Sequence, residues 1–318
     1  MYIVTGGLGF IGSNLVEDLI SQGEEVLVVD SETYAASDNN RFHGVPYFKG
    51  DICDPQTWDN VKRSLMAFRG NLRFIRGIFH LAAESHVDNS IGNDLPFLKT
   101  NVIGTREVLN FATELGIKIV NVSTDEVAGE VDLIKGDKPF DRNSPIQPRN
   151  PYAASKAAAE ILGKAYFNTY NTKVITVRPS NNFGPRQHRE KLIPKIIINA
   201  QANEPIPVYG NGMQIRDWLY VKDCTRGLIS AMENGQPGKI YCLGGENPAT
   251  NIEIVKKILY IMNKPDSLIN YVEDRKGHDK AYLVDCEATK KELTWCPVRK
   301  HVYTFDKLLE ETINWYVR

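Results

Sequence analysis

Short β-branched runs alternate with longer stretches of helical apolar spacing through the first half of the chain. Strands are predicted at Tyr2–Val4, Val26–Val29, Gly77–His80, Ile117–Val122 and Val174–Val177, and helices over Ile11–Gln22, Gln56–Phe68, Val102–Leu115 and Ala153–Thr169. Strands that are apolar throughout must be covered on both faces, and helices lying between them supply that cover while carrying the chain back to start the next parallel strand. The predicted fold is therefore α/β with a doubly wound parallel sheet.

After Arg178 the periodicity is interrupted by Pro179, Pro185, Pro194, Pro205 and Pro207 together with Gly184, Gly210 and Gly212, which predicts loops and short helices. A strand-to-helix pattern returns over Arg216–Met232, and Lys239–Leu243 reads as a further short strand. Two interleaved units follow: residues 1–178 with about 213–243 as a nucleotide-binding domain, and 179–212 with about 244–318 as a smaller α/β C-terminal substrate lobe. A length of 318 residues suits such a pair.

A net charge of −1 with 24% charged residues gives no bulk attraction for nucleic acid or a membrane surface, so an anionic ligand must be held by local groups. Five widely spaced cysteines form no Cys-x-x-Cys pair and no His-containing zinc pattern, so reduced structural thiols are expected and no metal site. The first strand is predicted from residue 2, so no leader is expected, and no apolar run approaches the length of a membrane span. A cytoplasmic location is the expectation.

Thr5-Gly6-Gly7-Leu8-Gly9-Phe10-Ile11-Gly12 follows the first strand and opens the first helix. Glycines at Gly6, Gly9 and Gly12 permit a tight turn and a close approach of backbone to a pyrophosphate, while Phe10 and Ile11 start the helix whose N-terminal amides face it. Asp30 ends the second strand about 20 residues on, where a carboxylate accepts hydrogen bonds from a ribose 2′-hydroxyl and repels a 2′-phosphate. This points to a Rossmann-type fold and to NAD rather than NADP. Asp51 and Ile52 follow another predicted strand, either at the adenine end of such a cofactor or, for Asp51, as a cap for the helix over Pro55–Phe68.

Tyr152 and Lys156 lie four apart at the start of a helix, so their side chains share a face. That spacing predicts that the ammonium lowers the phenol's pKa toward a useful range for a base. Ser123 and Thr124 end a strand at the same edge, and Asp125 and Glu126 come next. Neighbouring carboxylates in different surroundings can be driven to different pKa values, one becoming an acid and the other a base.

With these residues the chain resembles the extended short-chain dehydrogenase/reductases over nearly its whole length, and Ser-Thr-Asp-Glu-Val resembles the sugar-nucleotide 4,6-dehydratases among them. The runs Ala82–Asp88, Ser180–Asn182, Glu190–Pro194, Arg216–Val221 and Asp274–Asp279 extend the likeness. The resemblance implies that Tyr152 is the base for alcohol oxidation, that Lys156 also holds the nicotinamide ribose, and that Thr124 bonds the reacting oxygen. It further implies Leu81, Ala82 and Ala83 beside the cofactor, and Glu84, Ser85 and Thr100 near the sugar or nicotinamide. Arg216 and Arg275 are implied at the diphosphate, whose oxygens a guanidinium fork matches. Asn182, Lys191, Leu192, Pro207, Val208, Tyr209, Asn251 and His278 are implied along the nucleotide.

Departures from the pattern include Ala128 where a tyrosine is usual, Asn89 where an arginine is common, and a shortened stretch after Asp30. They leave dTDP-glucose, UDP-glucose and UDP-N-acetylglucosamine open as substrates. A UDP-sugar 4-epimerase would share the tyrosine, lysine and cofactor but would not need Asp125 and Glu126, and a non-catalytic nucleotide-binding protein would need none of these. The alanines at 153, 154, 157, 158 and 159 could pack within the chain or across a dimer; the resemblance implies a homodimer joined through four helices.

Overall fold

Alternate residues of each central strand enter cores on opposite faces of one sheet. Tyr2, Val4, Val28, Phe79, Val120 and Ile175 pack on one side, and Ile3, Leu27, Val29, Ile78, Ile119 and Val174 on the other. Each such side chain, fully removed from water, contributes about 1.5–3 kcal/mol. The computed structural model describes residues 1–275, 277–298 and 304–318; Lys276, within the Asp274–Asp279 run, lies outside the described residues.

The amino-terminal half runs β1 (Tyr2–Thr5), α1 (Phe10–Ser21), β2 (Val26–Asp30), β3 (Tyr47–Lys49), α2 (Pro55–Arg69), β4 (Gly77–His80) and α3 (Val87–Gly92). It continues through α4 (Leu95–Phe97), α5 (Thr105–Leu115), β5 (Lys118–Val122), α6 (Pro151–Tyr170) and β6 (Val174–Pro179). A π-helical stretch, Leu98–Gly104, joins α4 to α5, so the helix predicted from Val102 is regular only from Thr105. Asp54, not Asp51, caps α2, accepting from the Gln56 amide at 2.9 Å ahead of Pro55 at the first helical position.

The remainder comprises β7 (Asn181–Phe183), α7 (Leu192–Ala202), β8 (Ile206–Tyr209), β9 (Ile215–Tyr220), α8 (Val221–Asn234), β10 (Ile240–Leu243), β11 (Pro248–Thr250), α9 (Asn251–Ile261), β12 (Ile269–Val272), α10 (Glu287–Leu293) and α11 (Phe305–Val317). The large sheet has the order β10-β6-β5-β4-β1-β2-β3, and all of its pairings are parallel. The order reverses between β1 and β4, which opens a crevice at their carboxyl ends.

A three-stranded sheet, β11-β9-β7, and a pair, β12-β8, build the smaller lobe around Phe183, Ile193, Ile197, Trp218, Ile254 and Leu309. The return of the chain to the large sheet is made by β10, while β9, the strand opening the 213–243 segment, pairs in the small sheet. Its alternation explains this position: Leu219 enters the large core and Trp218 the small one. Among the described residues no helix is long and apolar enough to cross a membrane, and all five cysteines are free thiols.

Candidate active site

The crevice between β1 and β4 is a cavity of about 320 Å³. Its floor is the glycine turn. Gly6 has φ +70°, and a Cβ there would stand 2.7 Å from the Ala82 amide nitrogen; a Cβ at Gly12 would stand 2.1 Å from the Gly6 carbonyl oxygen. Only glycine satisfies both restraints. Gly9 precedes α1 without any side-chain cap, so the first amides of that helix stay free for an anion.

Asp30 sits at the cavity wall with Oδ2 accepting from the Leu8 amide at 3.0 Å and Oδ1 from the Glu32 amide at 2.8 Å. These bonds fix the carboxylate while leaving each oxygen a further lone pair. Phe10, Ile11, Asp51, Ile52, Leu81, Ala82, Ala83, Glu84, Ser85 and Thr100 line the same cavity, as do Tyr152 and Lys156. The turn without room for Cβ, the uncapped helix end and the fixed strand-end carboxylate together fit a dinucleotide.

At the inner end, Thr124 leaves β5 in an extended conformation and its hydroxyl donates to Asp125 Oδ1 at 3.2 Å. Asp125 is almost fully buried, and its Oδ2 has no protein partner among the described residues. Burial, reinforced by Glu126 alongside, pushes the Asp125 carboxyl up to about 8. Glu126 is also raised by burial, but it is opposed by a hydrogen bond from Asn150 Nδ2 at 3.3 Å and by the charges of Arg216, Lys191 and Arg275. The two carboxyls thus differ in environment, and burial drives Asp125 toward its protonated form.

Tyr152 is buried on the first turn of α6 and hydrogen-bonds Thr124. Its phenol is pushed up, not down, first by burial and then by the carboxylates of Glu126 and Asp125. The expected lowering by Lys156 is not found. The lysine ammonium instead donates to the Val122 carbonyl at 2.6 Å, and burial lowers its own pKa to about 8.

A second cavity, of about 460 Å³, adjoins the first and shares Ser85, Gln187, Glu190 and Lys191 with it. Glu126 faces this side, with Asn182, Leu192, Pro207, Tyr209, Arg216, Asn251, Arg275 and His278 along its walls. The buried Arg216 guanidinium donates to the Ile215 and Asp279 carbonyls at 2.7 and 2.9 Å and lies 4.3 Å over the Tyr282 ring. Arg275 donates to Asp88 at 3.4 Å and to His278 Nε2 at 3.2 Å, and its Nε is buried without a protein partner among the described residues. Lys191 donates to the Ser85 carbonyl at 3.1 Å. The cations Arg216, Arg275 and Lys191 thus line one cavity together with Glu126.

Val208, implied along the nucleotide but as readily a core residue, lies in the core. Pro207 and Tyr209 face the cavity, so the strand's alternation turns the Val208 side chain into the small-lobe core, and only its backbone is left to a ligand. Several lining residues carried no assignment from sequence. Asn150 caps α6 by accepting from the Ala153 amide at 2.8 Å while holding Glu126, and an Asn before Pro151 is a helix-start signal that could have exposed it. Tyr282 gave no such signal: it reaches the cavity because residue 281 bridges to Ile215 across the chain.

Residues 2–244 match the NAD dependent epimerase/dehydratase family model. Over an alignment of 345 positions the chain is 39% identical to a dTDP-glucose 4,6-dehydratase of Neisseria gonorrhoeae, covering 99% of this chain and 95% of that one. It is 38% identical to the low-salt glycan biosynthesis protein Agl12 of Haloferax volcanii, covering 99% and 98%. The crystal structure of a double mutant of the Streptomyces venezuelae dTDP-glucose 4,6-dehydratase DesIV, with NAD bound, superposes with a TM-score of 0.91 at 36% identity, covering 100% of this chain and 97% of that one. A Thermus thermophilus UDP-glucose 4-epimerase in complex with NAD gives 0.89 at 26% identity, covering 99% and 98%. With a matching fold, a glycine turn shaped for a dinucleotide and full-length relatives at this identity, the chain belongs to the NAD-dependent epimerase/dehydratase family.

Proposed function

We propose that the protein is an NAD-dependent hydro-lyase that converts a nucleoside-diphosphate hexose, dTDP-glucose, to its 4-keto-6-deoxy derivative. The observation that carries this reading is the buried Asp125–Glu126 pair beside Tyr152, where burial drives Asp125 toward its protonated form. The Neisseria and Streptomyces likenesses favour dTDP-glucose over UDP-linked sugars.

Gly6, Gly9, Gly12 and Asp30 in the larger lobe would hold NAD, with Tyr152 and Lys156 at its reactive end. When bound, NAD supplies a hydride acceptor at C4 and donor at C6, and a positive charge that opposes the carboxylates' effect on Tyr152. Tyr152, as its phenolate, takes the 4-hydroxyl proton while Thr124 bonds the same oxygen. The resulting ketone acidifies the C5 hydrogen, Glu126 removes it, and Asp125 gives its proton to the departing 6-hydroxyl, which leaves as water. Glu126 then returns a proton to C5. Arg216, Arg275 and Lys191 in the smaller lobe hold the diphosphate.

Mass spectrometry of products from dTDP-glucose, UDP-glucose and UDP-N-acetylglucosamine in deuterated water tests this. Loss of water with deuterium at C5 supports the dehydratase and names its substrate; inversion at C4 without mass change would make it an epimerase.

The pH profile follows from two raised or lowered groups. Asp125 must keep its proton and Lys156 its charge, and both titrate at about 8. Turnover should therefore fall as pH rises through about 8 with a slope near two protons. Asp125→Asn should be slower by about 10²-fold or more and retain a one-proton limb from Lys156; an unchanged two-proton limb in the variant would remove Asp125 from the acid role.

Leu95, Leu98, Ile103 and Ile161 stay exposed on the helices around α6, a face suited to a second copy. A homodimer is expected in light scattering, and a monomer across micromolar concentrations would refute it. Five free thiols suit a reducing cytoplasm; recovery of the protein outside it on fractionation would contradict that placement.

A further inference from the structure

His80 is buried at the carboxyl end of β4 and belongs to neither cavity wall. Its Nδ1 stands 2.8 Å from Thr5 Oγ1, and its Nε2 stands 3.0 Å from Thr105 Oγ1. Each neighbour fixes a direction. Thr5 Oγ1 already accepts from the Leu81 and Ala82 amides, both at 3.2 Å, so its own proton goes to Nδ1. Thr105 Oγ1 lies 2.6 Å from the Asn101 carbonyl, which can only accept, so the Thr105 hydroxyl must receive from Nε2. The imidazole is therefore neutral with its proton on Nε2, in keeping with burial and the nearby Lys156 charge pushing its pKa down to about 3.

The chain continues to the catalytic helix. Asn101, within the π-helical stretch, donates to the Glu84 carbonyl at 3.0 Å, accepts from the Glu84 amide at 2.9 Å and donates to Ser155 Oγ at 2.8 Å. Ser155 in turn donates to the Tyr152 carbonyl at 2.7 Å. Thr5 adjoins Gly6 of the dinucleotide turn, so one unidirectional set of hydrogen bonds runs from that turn through His80 and Asn101 to Tyr152.

We infer that His80 is a positioning residue: with Thr105 and Asn101 it locks the glycine turn, the Glu84 loop and the tyrosine helix into a single register across the sheet edge. This rests on the reading of the site as a hydride-transferring one, where the turn that seats the cofactor and the helix that carries Tyr152 must keep a fixed separation. A misplacement of about 1 Å at such a centre is enough to cost about 10²-fold in rate.

The test pairs two shape-preserving variants with a rescue. Thr105→Val breaks the chain without changing volume much, His80→Phe removes both bonds, and His80→Gln keeps a donor and an acceptor. Expected results are a fall in kcat of about tenfold or more for the first two, an unmoved KM for the sugar nucleotide, and faster loss of NAD from the purified enzyme. His80→Gln should recover most of the loss. Independently of any activity, nitrogen NMR should show the His80 ring with its proton on Nε2 and no titration from about pH 5 to pH 8, and in Thr105→Val the same tautomer with a shifted Nε2 resonance, because Thr5 still donates to Nδ1 while the Nε2 proton has lost its acceptor. A ring protonated at Nδ1, or wild-type kcat and NAD retention in both Thr105→Val and His80→Phe, would overturn the inference. If the NMR result stands while the protein turns over no sugar nucleotide, the functional reading fails and the lock does not.

Discussion

Glu126→Gln should carry out the first oxidation and then stop. The amide keeps the size of the carboxylate and can still meet Asn150, but it cannot accept the C5 proton at any accessible pH, so a turnover loss of about 10²–10⁴-fold is expected. The product isolated from a single turnover should have lost two hydrogens rather than water, and no deuterium should enter C5 from solvent. Binding should not weaken, because Arg216, Lys191 and Arg275 all act on Glu126 and removing its charge leaves them freer for the diphosphate. Full turnover, or a two-hydrogen loss that fails to appear, would take the base away from Glu126.

Tyr152→Phe should fail one step earlier. The variant removes a single oxygen from a ring that packs edge-to-face with Phe97 at 6.3 Å, so the helix and both cavities should survive, and NAD should remain bound. With no group to take the 4-hydroxyl proton, neither a two-hydrogen loss nor water loss should be detected, and kcat should fall by roughly 10²–10⁴-fold. The contrast separates the roles: one variant accumulates an oxidised sugar, the other leaves it untouched. Deuterium exchange at C5 in Tyr152→Phe would show that oxidation proceeds without the phenol.

The parallel sheet was legible because its signals are local. Each of the strands β1, β2, β4, β5 and β6 is a short apolar run, and the glycine turn announces itself by spacing and by Asp30 at the right distance. The adjacency of Thr124, Asp125 and Glu126 is likewise written in three consecutive residues, and Tyr152 and Lys156 in one helical turn. What sequence could not carry was direction. The phenol was expected to be lowered by Lys156, but the lysine turns to the Val122 carbonyl while two carboxylates face the tyrosine, an outcome set by where β5 ends relative to α6. Whether Val208 faces a ligand or the core was left open by the sequence for a similar reason, since strand alternation decides its face and β8 is too short to reveal its phase. Tyr282 and His80 depend on contacts between residues far apart in the chain, and no local pattern marks them.

Strand β9 carries one more implication, for anyone who would exchange the smaller lobe between relatives to change the sugar handled. Leu219 is packed in one core and Trp218 in the other, and Arg216 on the same strand lines the second cavity. No cut in sequence separates the two lobes without dividing a strand that both cores own. A chimera must therefore carry matched partners for Leu219 from one parent and for Trp218 from the other, or redesign the strand itself; specificity in this fold is changed more safely by side chains on the cavity wall than by transplanting a module.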